Sequence, residues 1–227
     1  MIGVAGVPYV GRTDHRATVA RAFAEPGHIV VISGEAGVGK STLVAVERAT
    51  AVTQVIEGSC LQLAGQSLPL AALEQIFFSR GGWPEAADGA EQQSLEQRLR
   101  AVRVWADALA PAGSATATTL VVDDLQWADE TTCDFLVYLA CTAARRDISL
   151  VVTLRNDETP RVGRVQQAVA ELARLPGAVS VELERLGRAE AGELVAALTG
   201  GADVDVDAWY AQSQGNPYLL GELAKDP

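Results

Sequence analysis

The stretch Gly34-Glu35-Ala36-Gly37-Val38-Gly39-Lys40-Ser41 speaks most directly of chemistry in this chain. Its glycines permit positive backbone torsions, so successive N–H groups can turn toward one anion. Lys40 adds a compact point charge, and the Ser41 hydroxyl can ligate Mg²⁺ alongside waters and phosphate oxygens. The residues fit G-x-x-x-x-G-K-[ST] in its required context, with a strand-like apolar run over 28–33 before it and a helical pattern over 40–50 after it. A helix beginning at Lys40 aims its partial positive end at the same anion. The reading is a nucleoside triphosphate site, with Lys40 at the β- and γ-phosphates and Ser41 on the metal.

A second group of chemical residues follows a strand-like run. Leu120-Val121-Val122-Asp123-Asp124 ends in two carboxylates, and ligands bind at the carboxyl ends of strands in parallel sheets. Asp123 is expected to hold Mg²⁺ through its water shell. Asp124 either orients or deprotonates an attacking water, or simply closes a turn; it is shorter than the glutamate often found at such a position. Asp129, in Trp127-Ala128-Asp129-Glu130, either caps the next helix or senses the nucleotide state. Arg155, just past Val151-Val152-Thr153-Leu154, either contacts the γ-phosphate or is a solvated surface arginine.

Those side chains need a scaffold that brings strand ends together. Five β-rich runs, 28–33, 52–58, 118–123, 148–154 and 179–183, are mostly continuous apolar stretches, as in parallel strands covered on both faces. Helical patterns lie between them at 40–50, 94–110, 131–145 and 162–175. In 94–110 the stripe is Leu95, Leu99, Val102, Ala106 and Leu109. Strands alternating with helices predict a parallel sheet with right-handed crossovers. The segment 61–89 reads as an insertion with one short helix near 70–79. After Leu186 only helical patterns occur, at 188–198, 205–214 and 217–224. The expected class is therefore α/β: a P-loop NTPase three-layer sandwich with a mostly parallel five-stranded sheet. Residues 1–186 would form the core and residues 187–227 the start of a small helical lid, truncated at the chain end.

Composition narrows the classes further. The 227 residues are 48% hydrophobic and 21% charged, the profile of a soluble globular chain. No apolar run is long enough to span a bilayer, and residues 1–10 show no signal-peptide pattern. Cys60, Cys133 and Cys141 lack metal-ligand spacing and read as small buried hydrophobes in a reducing cytoplasm. A formal net charge of −11 repels phosphate backbones, so general nucleic-acid binding is not expected.

The motifs, taken in order, resemble a known family. Val10-Gly11-Arg12, the phosphate loop, Asp123-Asp124 with Leu125-Gln126-Trp127-Ala128-Asp129, then Thr153-Leu154-Arg155 and Gly215-Asn216-Pro217-Tyr218 follow one another. The chain is similar to the ATPase domain of STAND-class signalling NTPases, above all that of large LuxR-type bacterial transcriptional regulators akin to the maltose-regulon activator. The same module occurs in some adenylate cyclases and protein kinases. The resemblance implies ATP or ADP with Mg²⁺ as cofactors. It places Val10, Gly11 and Arg12 at the adenine end. Gly34, Glu35, Ala36, Gly37, Val38, Gly39, Lys40, Ser41 and Thr42 would lie around the phosphates. Asp123 would serve the metal and Asp124 catalysis, with Arg155 as sensor. Pro217 would pack on adenine from the lid, although Gly215-Asn216-Pro217 also fits a helix C-cap followed by proline in the next first turn. The family's winged helix, sensor repeats and DNA-binding helices are missing, so DNA contact is not expected from these residues, and self-association is expected only in a full-length protein.

Two functions compete. One is a slow ATP-hydrolysing regulatory switch of a transcriptional activator. The other is a conventional turnover enzyme: a stand-alone ATPase, or the ATPase module of a cyclase or kinase fusion. The absence of glutamate after Asp123 favours the switch. The absence of an N-K-x-D segment disfavours GTP. Arg185 and Arg188 are candidates for a trans-acting arginine by position alone.

Overall fold

The computed structural model describes residues 9–84, 95–109, 117–157 and 163–225. The expected helix ends at Ser94, Ala110 and Val162, and residues 85–89 of the expected insertion, lie outside them. The strands among the described residues are β1 (Ile29–Gly34), β2 (Gln54–Ser59), β3 (Gln62–Leu63), β4 (Gln66–Ser67), β5 (Thr118–Asp123), β6 (Ile148–Arg155) and β7 (Ala178–Leu183). The helices are α1 (Thr13–Ala24), α2 (Lys40–Arg48), α3 (Ala71–Phe78), α4 (Leu95–Leu109), α5 (Glu130–Cys141), α6 (Arg164–Ala173), α7 (Arg188–Thr199), α8 (Val206–Ser213) and α9 (Pro217–Leu223). The main sheet has five strands in the order β2-β5-β6-β1-β7, and every pairing in it is parallel.

Strand alternation sorts the side chains into two faces. Ile29, Val31, Leu120, Val122, Leu150, Val152 and Leu154 join one core with α3, α4, α5 and α6. Val30, Ile32, Val121, Val151, Val181 and Leu183 join another with α1 and α2. Both faces are thus covered, which is why the central strands read as continuous apolar runs. The same parity matters for the site: Asp123 is two residues after Val121 and Thr153 two after Val151, so both share the face that α2 covers.

A third cluster stands apart. Leu186, Ala191, Leu194, Val195 and Leu220 form it, with Val10, Trp209 and Tyr210 packed on its edge. It is built from α7, α8 and α9, the helices after the sheet. Asp205 caps α8 through Ala208 N–H at 2.9 Å. Asn216 caps α9, and Pro217 occupies its first turn.

Several local expectations change. Helix α1 lies in a stretch with no helix foreseen. Its buried residues are only Val19, Ala22 and Phe23, a narrow stripe in a polar sequence. The insertion contains a two-stranded antiparallel hairpin, β3-β4, before α3. In α4 the buried face is Ala101, Val102, Trp105, Ala106 and Leu109, whereas Leu99 is 40% exposed. The wide indole of Trp105, packed near Phe77, Trp83 and Phe135, draws that face round. The helix expected over 131–145 ends at Cys141, and Ala143–Arg145 form a 3-10 turn. Cys60 and Cys133 are buried but Cys141 is exposed, so only two of the three thiols fit the expectation. Burial pushes both buried thiols up, Cys133 to about 12, which keeps them protonated near neutral pH. Among the described residues, no helix is long and apolar enough to cross a membrane.

Candidate functional site

The carboxyl ends of β5, β6 and β1 converge. Gly34 closes β1 and lies in register with Arg155 on one side and Leu183 on the other. The chain then turns through Gly37 (φ 76°) and Gly39 (φ 98°) before entering α2. Gly34 has no room for a side chain: a Cβ would stand 2.5 Å from the Leu183 carbonyl oxygen. At φ 153° the backbone also adopts a torsion that side-chain-bearing residues avoid.

Helix α2 begins without a side-chain cap, because Gly39 has none to offer. The contrast with α5 and α9 is informative. Asp129 caps α5 through Thr131 N–H at 3.1 Å and Thr132 N–H at 3.4 Å. Asn216 caps α9 through Tyr218 N–H at 3.0 Å. The first N–H groups of α2, Lys40 to Thr42, are left for an external acceptor. A glycine-lined, uncapped helix start flanked by a lysine suits a phosphate group.

Lys40 is 7% exposed, and its ammonium donates to the carbonyls of Gly34 at 2.8 Å and Glu35 at 2.9 Å. Its pKa is lowered, first by burial and then by the Arg155 charge, against the pull of Asp124, Asp157 and Asp123. Ser41 Oγ donates to Asp123 Oδ2 at 2.9 Å. These are the two residues expected at the metal, and α2 and β5 bring them together. Among the described residues no cluster of three or more His, Cys, Asp or Glu could hold a metal. A hydroxyl and one carboxylate suit a hard cation that takes its remaining ligands from phosphate and water.

Asp124 leaves the strand in a left-handed conformation, φ 58°. Its carboxylate accepts from Gln126 Nε2 at 2.8 Å and pairs with Arg155 Nε at 3.7 Å. The same Gln126 accepts from the Arg155 backbone N–H at 3.0 Å. Arg155 is therefore tied into the site on both its backbone and its side chain. Asp129 is a helix cap and also accepts from Leu70 N–H at 3.1 Å, so both its oxygens are engaged in local structure.

Two contributors were not foreseen. Thr153 donates its hydroxyl to Asp123 Oδ1 and accepts from Asp124 N–H at 3.1 Å. Its signal was a hydroxyl inside an otherwise apolar buried strand. Gln126 is 4% exposed, and its signal was an amide beside the two carboxylates.

At the other end, Arg12 sits at φ 57° and donates to Val38 O at 2.6 Å and Glu184 O at 2.5 Å. Its guanidinium braces the loop against the exit of β7. Val10 packs on the α7–α9 cluster. Gly11 lies against Glu190, whose Oε1 is 2.2 Å from where a Cβ would stand. Pro217 is half-buried at the start of α9. Arg185 binds Glu35 Oε2 and Gln214 Oε1 at 2.8 Å each, and Arg188 binds Asp207 at 2.6 Å. Both arginines are engaged within this chain.

Residues 8–153, more than half of the chain, match the family described as AAA ATPase domain. The chain belongs to the AAA ATPase domain family. Solved structures agree on the fold of this AAA ATPase domain. It is similar to a Signal Transduction ATPase with Numerous Domains (STAND) protein with a tetratricopeptide repeat sensor from Pyrococcus horikoshii. That similarity has 18% identity and a TM-score of 0.53, covering 98% of this chain and 31% of that one. It is also similar to two variants of RuvB from Thermotoga maritima. One shows 13% identity and a TM-score of 0.53, covering 96% of this chain and 61% of that one. The other shows 14% and 0.54, covering 95% and 61%. This AAA ATPase domain thus spans about a third of the Pyrococcus protein's length and 61% of RuvB's. None of the curated proteins matches it. At these identities the likeness is one of fold: the five-stranded parallel α/β sheet of P-loop NTPases.

Proposed function

We propose that this AAA ATPase domain is a nucleotide-dependent regulatory switch that binds ATP or ADP with Mg²⁺ and hydrolyses ATP slowly. Residues 187–227 act as its lid and residues 1–186 as its nucleotide-binding core. The observation that carries the reading is the engagement of Asp124. The carboxylate best placed to activate water is held by Gln126 and Arg155. A carboxylate already held by an amide and a guanidinium is not free to orient a water, and the arginine that holds it is placed to feel a γ-phosphate.

Each residue has a role in that scheme. The N–H groups of 36–41 and the Lys40 ammonium bind the phosphates. Ser41 and Asp123 would hold Mg²⁺, which neutralises charge on the β- and γ-oxygens when bound. Arg155 exchanges Asp124 for the γ-phosphate, and its release on hydrolysis changes the strand end that Gln126 also grips. Val10, Gly11, Arg12 and Pro217 frame the adenine end. The likeness to a multidomain signalling ATPase, and the motif order, support a place within a larger LuxR-type transcriptional activator. The charge of −11 supports leaving DNA contact and self-association to the rest of such a protein.

Single-turnover hydrolysis tests the proposal. The expected rate is well below about one per second, the low end of ordinary enzyme turnover. A faster rate would make the domain a conventional ATPase instead. Lys40→Ala is expected to abolish ATP binding in calorimetry, and an unchanged affinity would remove the site assignment.

A further inference from the structure

Every carbonyl of the phosphate loop from residue 34 to 39 has a donor. Lys40 serves Gly34 and Glu35, and Arg12 serves Val38. Leu43 N–H serves Gly39 at 2.9 Å. The remaining two are served from the lid. Asn216 Nδ2 donates to Ala36 O at 2.9 Å, and Tyr218 N–H donates to Gly37 O at 3.2 Å.

This pattern has a physical consequence. A tight loop presents carbonyls on one side and N–H groups on the other. Pinning the carbonyls outward holds the N–H groups inward, toward an anion. Without the lid, the oxygens of Ala36 and Gly37 would lose their donors. Their partial negative charges would then be free to rotate toward the phosphates. Asn216 is built for the task. It is 8% exposed, and its Oδ1 caps α9 while its Nδ2 holds the loop. Gly37 permits the close approach: a Cβ there would lie 2.8 Å from both Asn216 Oδ1 and Tyr218 Cβ.

We propose that the lid completes the phosphate site: Asn216, helped by the Tyr218 amide, is a positioning residue that holds the loop in its anion-binding conformation. Lid docking and phosphate occupancy then favour each other, and by linkage the coupling is reciprocal. The trigger is the phosphate, not the base. This rests on the reading of residues 34–41 as a phosphate site, and it extends that reading to the lid.

The test uses the whole chain and Mg²⁺-pyrophosphate, a probe with no adenine for Pro217 to touch. Asn216→Ser stays neutral and keeps a capping oxygen but loses the amide donor, whereas Asn216→Ala loses both. Both variants are expected to bind pyrophosphate about three- to tenfold more weakly in calorimetry, the range of one lost hydrogen bond. In the unsubstituted protein, pyrophosphate is expected to slow amide exchange over residues 218–223, a readout that does not depend on how the variants fold. Wild-type affinity in Asn216→Ser would overturn the proposal and leave Asn216 a helix cap. Pyrophosphate binding without slower exchange in the lid would overturn it equally. If the unsubstituted protein binds neither pyrophosphate nor ATP, the nucleotide reading itself falls, an outcome distinct from the other two.

Discussion

Thr153→Val isolates the polar role of a residue that is 1% exposed and bridges two strands. Valine keeps the shape and replaces a hydroxyl with a methyl. In the protein that hydroxyl donates to Asp123 Oδ1 and accepts from Asp124 N–H. A hydrogen bond to a charged acceptor contributes about 1.5–3 kcal/mol, and an orphaned N–H costs about 1–3 kcal/mol. Asp123 and Asp124 are only half-buried, so water replaces part of both losses. The working figure is about 2–3 kcal/mol. For a chain of this size each kcal/mol lowers Tm by about 2–4 °C, so the expected drop is about 4–12 °C in thermal unfolding followed by circular dichroism. The change also frees the Asp123 oxygen opposite the one Ser41 holds at 2.9 Å. ATP binding is therefore expected to need more Mg²⁺, measured by titrating the metal at fixed nucleotide. A Tm within about 1 °C of wild type, with unchanged Mg²⁺ dependence, would refute the view that Thr153 fixes Asp123.

Three further outcomes follow from the same geometry. Arg155→Ala is expected to bring ATP and ADP affinities closer together, since it removes the group that trades Asp124 for a γ-phosphate; equal affinity ratios in variant and wild type would count against that exchange. The lowered pKa of Lys40 means that between its folded-state value and 10.5 the unfolded chain binds more protons. Ligand-free stability therefore rises with pH across that window while phosphate affinity falls, and a flat ATP affinity up to pH 10.5 would contradict it. Gly215→Ala places a Cβ 2.1 Å from the Leu186 carbonyl at φ 76°, where an L-residue is already strained by about 1–3 kcal/mol. Faster amide exchange in α7–α9 than in the sheet is the expected signature, and uniform exchange would refute a separate response of the α7–α9 cluster.

The sequence by itself determined the parts of this protein that are local or periodic. The phosphate loop is eight consecutive residues, so its glycines, lysine and serine are legible in order. The three central strands are legible because burial on both faces demands apolar runs, the edge strands β2 and β7 because every other residue toward their ends is buried, and the starts of α8 and α9 because their caps sit beside them. Helix α1 escaped because three buried residues in a polar stretch give little periodic signal. In α4 the expected Val102, Ala106 and Leu109 are buried, but Trp105, not Leu99, completes the face because its indole meets the aromatic cluster. Only the tertiary structure decided which side chains meet. Thr153 reaches Asp123 because β5 and β6 lie side by side in register, and residue type alone does not state register. Asn216 reaches Ala36 across 180 residues of sequence. Such a contact depends on how α7–α9 pack through Leu186 and Gly215, a long-range consequence of burial that no local pattern encodes.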